Sequence, residues 1–302
     1  MKFNKYHGAA ISAFIIWGFI PFPLKALAGF PSSQILYFRI LVAVLTLLAV
    51  SLTVRRQYWQ ETYALVKSKN AVEKRRFFLF TFMGGGLLTI NWLAFIYVVN
   101  HVDIQTGSFS YLLCPILTAA LGFVLLKEQL RVVQWLSVGL SLMSCLLVGT
   151  DSLYNLLFSL LIASSYAFYL ITQRLLKEYD KIVLLTLQLL LAFLVIGPSY
   201  PWFVGEEAQP VTGFFLGQIA LLSWLFTVIP LFLNLYALKE LKSATVGVLM
   251  YLNPIINFTM AFVYFNEVAS ERKIWAYVVI FLSVMLYNLP IGKKKKKEAV
   301  VQ

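Results

Sequence analysis

Two basic residues, Lys25 and Arg39, lie inside long apolar stretches of this chain, where a charge is costly and normally marks function. Neither has an acidic residue at its depth, because all 13 Asp and Glu residues fall in connecting segments or at the ends of apolar stretches. The partners expected for Arg39 are therefore backbone carbonyls, the carboxyl end of a broken helix or an anionic solute. The alternatives are a structural Arg39 bonded to backbone near the membrane surface and a Lys25 whose ammonium reaches the interface.

Aromatic and amide side chains within the apolar stretches are the second group of candidates. A buried tyrosine hydroxyl or indole N–H needs a hydrogen-bond partner, and a wet cavity supplies one. Amides are penalised by lipid, and Asn253 and Asn257 lie one helical turn apart on one face. Contacts with lipid, the core or a neighbouring helix are the alternative for each residue. With the two cations, the predicted solute-binding residues are Trp17, Lys25, Arg39, Asn91, Trp92, Tyr111, Tyr166, Tyr169, Tyr251, Asn253 and Asn257.

Catalysis is not predicted, and neither a cofactor nor a metal is expected. The apolar stretches hold no pair of carboxylates and no Ser-His-Asp arrangement, and His7 and His101 lie near opposite faces of the membrane. The glycines at 84–86 lack the preceding strand and following Lys-Ser/Thr of a phosphate loop, which leaves close helix packing as their role. Without a buried carboxylate as proton relay, we expect diffusion or exchange of the solute rather than tight proton coupling.

Membrane-spanning helices must position these groups. Hydrophobic residues make up 60% of the chain and charged residues 13%, against about 25% charged residues in soluble domains. Continuous apolar segments long enough for a hydrocarbon layer of about 30 Å favour helices over a barrel. The predicted fold is an all-α polytopic membrane protein. Its ten predicted spans are Gly8–Ala28, Ser32–Val54, Phe77–Asn100, Thr106–Leu126, Val132–Gly149, Ser152–Gln173, Ile182–Phe203, Phe214–Ala237, Ser243–Phe265 and Ile274–Pro290.

The distribution of Lys and Arg predicts the orientation. With the amino terminus inside, the cytoplasmic segments hold 21 of these residues, whereas the opposite side holds only Arg272 and Lys273. Both termini are therefore expected in the cytoplasm, with the chain in the inner (cell) membrane. The basic tail 291–302 is interpreted as a flank lying on anionic lipid, so no nucleic-acid partner is expected. The basic loop 55–76 is predicted to contain a short helix on the inner membrane surface.

The two halves of the chain resemble each other at a constant offset of 139 residues. This offset pairs Tyr97 with Tyr236, Thr106 with Thr245, Pro115 with Pro254 and Glu128 with Glu267. Each copy has five helices, an odd number, so the second copy is inverted, as in transporters that alternate access to a midplane site. The predicted units are residues 1–150 and residues 151–290, arranged around a central cavity.

Prolines within the apolar segments are predicted hinges, because each removes a backbone donor and disturbs the preceding turn. The hinge candidates are Pro21, Pro115, Pro230 and Pro254. A simple packing kink is the alternative for Pro115 and Pro254. Glu128 and Glu267 each follow their proline by 13 residues and are predicted to brace helix ends.

Several motifs, taken in order, resemble the RarD-type branch of the EamA family in the drug/metabolite transporter superfamily. They include Trp17 to Pro21 with Lys25, Phe38-Arg39, Asn91-Trp92-Leu93 and Tyr111 to Pro115, with further matches up to Pro254. The resemblance implies two inverted five-helix repeats around a cavity and the export or exchange of small metabolites or drugs. The aromatic residues favour an amphipathic or aromatic solute, and the two cations favour an anion. A monomer is the default, and a non-transporting membrane sensor or assembly partner is the alternative function.

Overall fold

The computed structural model describes residues 5–127, 129–237, 240–241 and 249–288, and within these ranges the regular structure is entirely helical. A 3₁₀ turn at Gly205–Glu207 and a π-helical turn at Trp224–Val228 accompany the α-helices. The helices are α1 (Lys5–Gly18), α2 (Pro21–Ala26), α3 (Ser32–Leu52), α4 (Arg56–Ser68), α5 (Ala71–His101), α6 (Ile104–Leu126), α7 (Val132–Asp151), α8 (Leu153–Leu175), α9 (Lys181–Ile196), α10 (Tyr200–Val204), α11 (Gly213–Ser223), α12 (Ile229–Ala237), α13 (Leu252–Val263) and α14 (Glu271–Asn288).

Six helical stretches in the described part of the chain are long and apolar enough to cross a membrane. They are Lys5–Ala26, Ser32–Leu52, Ala71–His101, Ile104–Leu125, Leu153–Leu175 and Gly213–Asn234. The bent pair α9 and α10 raises this number to seven if it forms one span, and α7 and α13 contain shorter apolar helices. The all-helical multi-pass protein is thereby confirmed, whereas the arrangement of ten spans in inverted repeats stays a prediction. Glu128 and the tail 291–302 lie outside the described residues.

The first and seventh predicted spans are broken rather than continuous. The first breaks between Gly18 and Pro21, which takes the first position of α2, where a missing backbone N–H costs no hydrogen bond. The seventh, predicted as Ile182–Phe203, ends its first part at Ile196, and the following helix leaves at 82°. Pro198 lies in this connection and cannot donate to the preceding turn, so the helix does not continue through the predicted span.

Pro115 and Pro254, which the sequence repeat pairs, occupy different positions in their helices. Pro115 lies inside α6, which continues on both sides of it. Pro254 lies in the first turn of α13, which begins at Leu252 after a turn at residues 250–251. The ninth predicted span is therefore interrupted just before Pro254, and the role of Pro254 as a hinge stays a prediction. The part of the ninth predicted span from 243 to 248 lies outside the described residues.

The basic loop 55–76 contains α4 and the start of α5. A capping box starts α5, because the Asn70 side chain accepts from the Glu73 amide and the Glu73 carboxylate accepts from the Asn70 amide. Residues 71–76 are therefore helical rather than loop. Arg55 pairs with Asp180 at 2.6 Å, and Lys69 pairs with Glu178 at 3.0 Å. These ion pairs connect the loop to the α8–α9 connection in the second half of the chain.

Helices from the two halves pack against each other throughout the bundle. Helix α5 contacts α3 within its own half and α8 and α9 in the other half. Helix α6 contacts α8 and α13, and helix α1 contacts α12 and α13. Close approach of α5 to α9 occurs at Gly84 and Gly85, which face Gln188 of α9. Small residues allow such close packing where lipid supplies little hydrophobic driving force between helices. The predicted packing role of the glycines applies to these two and not to Gly86, which has open space beside it.

Glu267 lies in the α13–α14 connection and caps α6 from the other half of the chain. Its carboxylate accepts from the Ile104 amide at 2.8 Å and from the Gln105 amide at 3.3 Å. Asp103 is the N-cap of α6 and pairs with Lys273 at 2.9 Å. Burial raises the pKa of Glu267 above its ordinary value of 4.5, because this effect outweighs the opposing amide hydrogen bonds and the nearby Lys25.

We expect Glu267→Gln to gain stability relative to the unaltered protein as the pH rises. The raised pKa means that the folded protein holds the Glu267 proton more tightly than the unfolded chain does. The stability from this group is therefore complete below the unfolded pKa and is lost as the pH rises through the folded pKa. Glutamine does not titrate, and its carbonyl can still accept from Ile104. Equilibrium unfolding of both proteins between about pH 4 and pH 8 measures the difference.

A second variant separates the titration of Glu267 from its capping role. Glu267→Ala removes the acceptor of the α6 amides and does not titrate, so we expect it to be about 1 kcal/mol less stable than Glu267→Gln at every pH. A constant difference between Glu267→Gln and the unaltered protein across the pH range would contradict the titration argument.

Candidate functional site

A cavity of about 90 Å³ lies between helices of both halves, several times the roughly 10–15 Å³ that one water needs. Its wall is mostly aromatic and aliphatic, with one cationic side chain. The described residues that line it are Phe14, Trp17, Ile20, Arg39, Leu88, Trp92, Phe95, Tyr111, Tyr166, Tyr169, Phe226, Thr227, Leu231, Met250, Asn253 and Pro254.

Arg39 places a guanidinium in this wall with only 3% of the residue exposed. Its Nε and Nη2 donate to the Thr227 hydroxyl at 3.1 and 3.0 Å. Its Cζ lies 4.4 Å from the centroid of the Trp92 ring, a distance at which the ring face attracts a cation. No ion pair joins Arg39 to a carboxylate within the described ranges. Within the described residues, a hydroxyl and an aromatic face thus take the place of two expected partners, the backbone carbonyl and the helix end.

The π-helical turn at Trp224–Val228 fixes the Thr227 hydroxyl. This hydroxyl donates to the Leu222 carbonyl at 2.9 Å, so its lone pairs are left to accept from Arg39. Ser223, just before the turn, donates to the carbonyl of Arg39 at 3.2 Å. A π turn leaves the normal ladder of backbone bonds, and such turns are frequent at functional sites. The turn thus holds Arg39 by both its side chain and its backbone.

Pro230 connects this turn to the wall at Trp17. A proline cannot donate to the carbonyl four residues earlier, which here belongs to Phe226. The Trp17 indole N–H donates to that carbonyl at 3.1 Å. The predicted hinge residue Pro230 therefore leaves open the acceptor that orients Trp17 of α1.

Three tyrosines form a continuous part of the wall. The rings of Tyr111 and Tyr166 lie 6.0 Å apart in an edge-to-face arrangement, and those of Tyr166 and Tyr169 lie 5.8 Å apart. Asn91 lies behind this wall, where its Nδ2 donates to the Ile162 carbonyl at 2.8 Å and its Oδ1 accepts from Tyr111 at 3.4 Å. Asn91 therefore positions Tyr111 and is absent from the described lining.

Asn253 and Pro254 bring the start of α13 to the cavity. The Asn253 Oδ1 accepts from Asn257 Nδ2 at 3.0 Å, one turn further along the helix. Asn257 is fully buried and, within the described lining, does not reach the cavity. The shared face predicted for the two asparagines is present, with Asn253 at the wall and Asn257 behind it.

The structure brings seven of the eleven predicted binding residues together, namely Trp17, Arg39, Trp92, Tyr111, Tyr166, Tyr169 and Asn253. In the described part of the chain, the remaining four lie away from the wall. Lys25 interacts electrostatically with Glu267, and Tyr251 packs in a separate core with Phe109. Asn91 and Asn257 support wall residues. No ion pair joins Lys25 to a carboxylate among the described residues, so its lack of a direct acidic partner stays a prediction.

Sequence reasoning missed Thr227 and the apolar part of the wall. The apolar lining residues Leu88, Phe95 and Leu231 are of the same residue types as those that face lipid, so the sequence does not distinguish them. Thr227 lies three residues before the predicted hinge Pro230, so its position offered a signal that was not used. Among the described residues, no group of three His, Cys, Asp or Glu lies close enough to hold a metal.

Comparisons with known proteins agree on one family. The model of the EamA-like transporter family matches residues 5–150 and 153–289. Protein RarD of Salmonella typhi is 27% identical over 95% of this chain and 96% of its own length. The uncharacterized transporter YojE of Bacillus subtilis (strain 168) is 26% identical over 94% of this chain and 93% of its own. A protein crystal structure with 15% identity gives a TM-score of 0.62 over 93% of this chain and 96% of that one, a likeness of fold alone.

Proposed function

Because the chain belongs to the EamA-like transporter family, we propose that it moves a small molecule across the membrane through the cavity lined by Arg39, Tyr111 and Asn253. It is a multi-pass membrane transporter rather than an enzyme. The observation that carries the proposal is that one small cavity is enclosed by side chains from both halves. Arg39 and Trp92 come from the first half, and Tyr166 and Thr227 come from the second. A site between two repeats opens alternately to either side when the repeats exchange conformations.

The arrangement of the helices in the membrane is part of this proposal. Residues 1–150 and 151–290 form two inverted five-helix repeats with ten spans, an arrangement supported by the two separate matches of the family model. Both termini lie in the cytoplasm, with the protein in the inner membrane, because Lys and Arg are concentrated in the segments on that side. One pair of repeats is enough to close one cavity, so the protein acts as a monomer.

The transporter exports or exchanges its solute without tight coupling to protons. Proton-coupled carriers commonly use a buried carboxylate or histidine, and the described cavity wall holds neither. Glu267 caps a helix end outside the wall. Strong stimulation of transport by an imposed pH gradient would exclude this mechanism.

Counterflow in proteoliposomes tests the proposed function. The purified protein is reconstituted, the vesicles are preloaded with pools of metabolites, and labelled aromatic compounds, amino acids or organic anions are added outside. We expect uptake of one class, lost in Trp92→Ala and retained in Trp135→Ala. Trp135 is a matched control, because its side chain is exposed on α7, away from the described cavity wall. No uptake from any pool by the folded protein would favour a sensor or assembly partner.

We expect Pro254→Ala to slow transport more than it weakens binding. The substitution returns a backbone N–H at the start of α13 and favours a continuous helix across residues 250–251. One restored hydrogen bond, about 0.5–1.5 kcal/mol, slows opening by about 2- to 12-fold if that break must form or move during transport. Single-turnover transport and equilibrium binding of the counterflow solute measure the two effects.

Pro115→Ala is the matched control, because α6 is already continuous at Pro115. We expect a stabilising or neutral effect there, with transport close to normal. Equal losses of transport and binding in Pro254→Ala would mean that the break has only a structural role.

A further inference from the structure

We propose that the cavity recognises a small organic monoanion, a carboxylate on an apolar body, and that Arg39 is the group that selects it. This inference rests on the proposed transport function and names the chemical class of its solute. It begins with the cation in the wall. Arg39 is almost completely buried, and its ion-pair partner is missing from the described residues. A buried cation without an anion is costly, so an anionic occupant of the cavity removes that cost.

The geometry of Arg39 leaves a binding edge for the solute. Its two hydrogen bonds use Nε and Nη2, both directed at the Thr227 hydroxyl. Among the described residues, Nη1 has no hydrogen-bond partner, and the residue lines the cavity. The Trp92 ring covers one face of the guanidinium. A planar fork held in this way suits the two oxygens of a carboxylate.

The other polar groups of the wall are mostly donors or are already engaged. The Trp17 N–H is used by the Phe226 carbonyl, and the Asn253 Oδ1 accepts from Asn257. The remaining Asn253 Nδ2 and the hydroxyls of Tyr166 and Tyr169 can donate to an anion. A cavity wall with hydrogen-bond donors around one cation suits a solute that carries a single negative charge.

The same wall argues against a zwitterion or a dianion. No carboxylate lines the cavity within the described ranges, so an ammonium on the solute would meet no opposite charge. Arg39 is the only cation in that described lining, so a doubly charged phosphate would be half neutralised. The aliphatic and aromatic remainder of the wall favours an apolar body.

Calorimetric titration of the purified protein with three matched probes tests the proposal. The probes are 3-phenylpropionate, its neutral amide 3-phenylpropionamide and the zwitterion phenylalanine. We expect 3-phenylpropionate to bind at least about tenfold more tightly than the other two, since a charge-assisted hydrogen bond is lost in the amide. This comparison uses the unaltered protein, so it holds even if a variant fails to fold. Equal binding of the amide or of phenylalanine, or no binding of any probe, would overturn the proposal.

Arg39→Gln and Lys25→Gln form a matched pair of charge removals. We expect Arg39→Gln to weaken 3-phenylpropionate binding by about 10- to 100-fold while the affinity for the amide changes little. Lys25 lies outside the described wall, so Lys25→Gln should keep the preference. A carboxylate preference that survives in folded Arg39→Gln would refute the role of Arg39. Tight carboxylate binding without counterflow would instead overturn the transport proposal, and counterflow of neutral solutes without this preference would overturn only the present inference.

Discussion

Gly85→Ala is expected to destabilise the protein by about 1–3 kcal/mol, because α5 and α9 are too close at this position for a side chain. A Cβ built on Gly85 would fall closer than 3.0 Å to the backbone carbonyl oxygen of Gln188. A backbone atom cannot rotate away, so the two helices must separate. Alanine is favoured over glycine in a helix by about 1 kcal/mol, and the expected loss is what remains after that gain. Equilibrium unfolding in mixed detergent micelles measures the change.

The neighbouring glycines give the controls for this prediction. Gly86 has no atom within 4 Å of its added Cβ, so Gly86→Ala should be neutral or stabilising. At Gly84 the added Cβ meets the end of the Gln188 side chain, which can move but also accepts from Gln173 at 3.0 Å. We expect an intermediate loss for Gly84→Ala. The same stability for Gly85→Ala and Gly86→Ala would show that α5 and α9 are not in close contact here.

Helix content and family were predictable from this sequence, whereas helix continuity was not. Long apolar runs specify membrane-length helices by simple dimensions, and the family resemblance carried by ordered motifs is confirmed. The bend after Ile196 was missed because hydropathy averaged over a membrane-length segment stays high across Pro198 and hides the break in the backbone ladder. The start of α13 just before Pro254 was missed for the same reason. In both cases proline position is more informative than hydropathy.

Part of the cavity wall was predictable from the cost of polar groups in lipid. That argument identified Arg39 and Trp92, which do lie together in the cavity wall. It cannot separate a cavity from a neighbouring helix as the partner of a polar group. Asn91 obtains its partners from the α8 backbone, so it satisfies the same physical requirement without lining the cavity.

The position of Thr227 could not be derived from helical periodicity. A π turn shifts the residues after it around the helix axis, so a regular helix of 3.6 residues per turn places this side chain incorrectly. The sequence of the turn, Trp-Leu-Phe-Thr-Val, has no residue type that specifies π geometry by itself. Tertiary contacts with Arg39 accompany the turn, and these contacts join residues 188 positions apart.

Thr227→Val is expected to cost about 1.5–3 kcal/mol of stability, because it removes the acceptor of two hydrogen bonds from a buried cation. Valine has nearly the same shape, so the loss reflects the hydroxyl rather than a cavity. The guanidinium of Arg39 would keep the Trp92 face but lose the group that fixes its rotation. We therefore also expect weaker solute binding in the counterflow assay, seen as a higher half-saturating concentration.

Thr227→Ser separates the hydroxyl from the methyl group. Serine keeps the acceptor for Arg39 and the donor to the Leu222 carbonyl, and it loses only one methyl contact, about 0.8 kcal/mol. The serine variant should therefore retain most of the solute affinity that the valine variant loses. If valine and serine reduce stability and affinity equally, the hydroxyl of Thr227 contributes no more than its methyl group, which would contradict the prediction. Arg39 would then be held chiefly by the Trp92 ring and by the Ser223 hydrogen bond to its backbone.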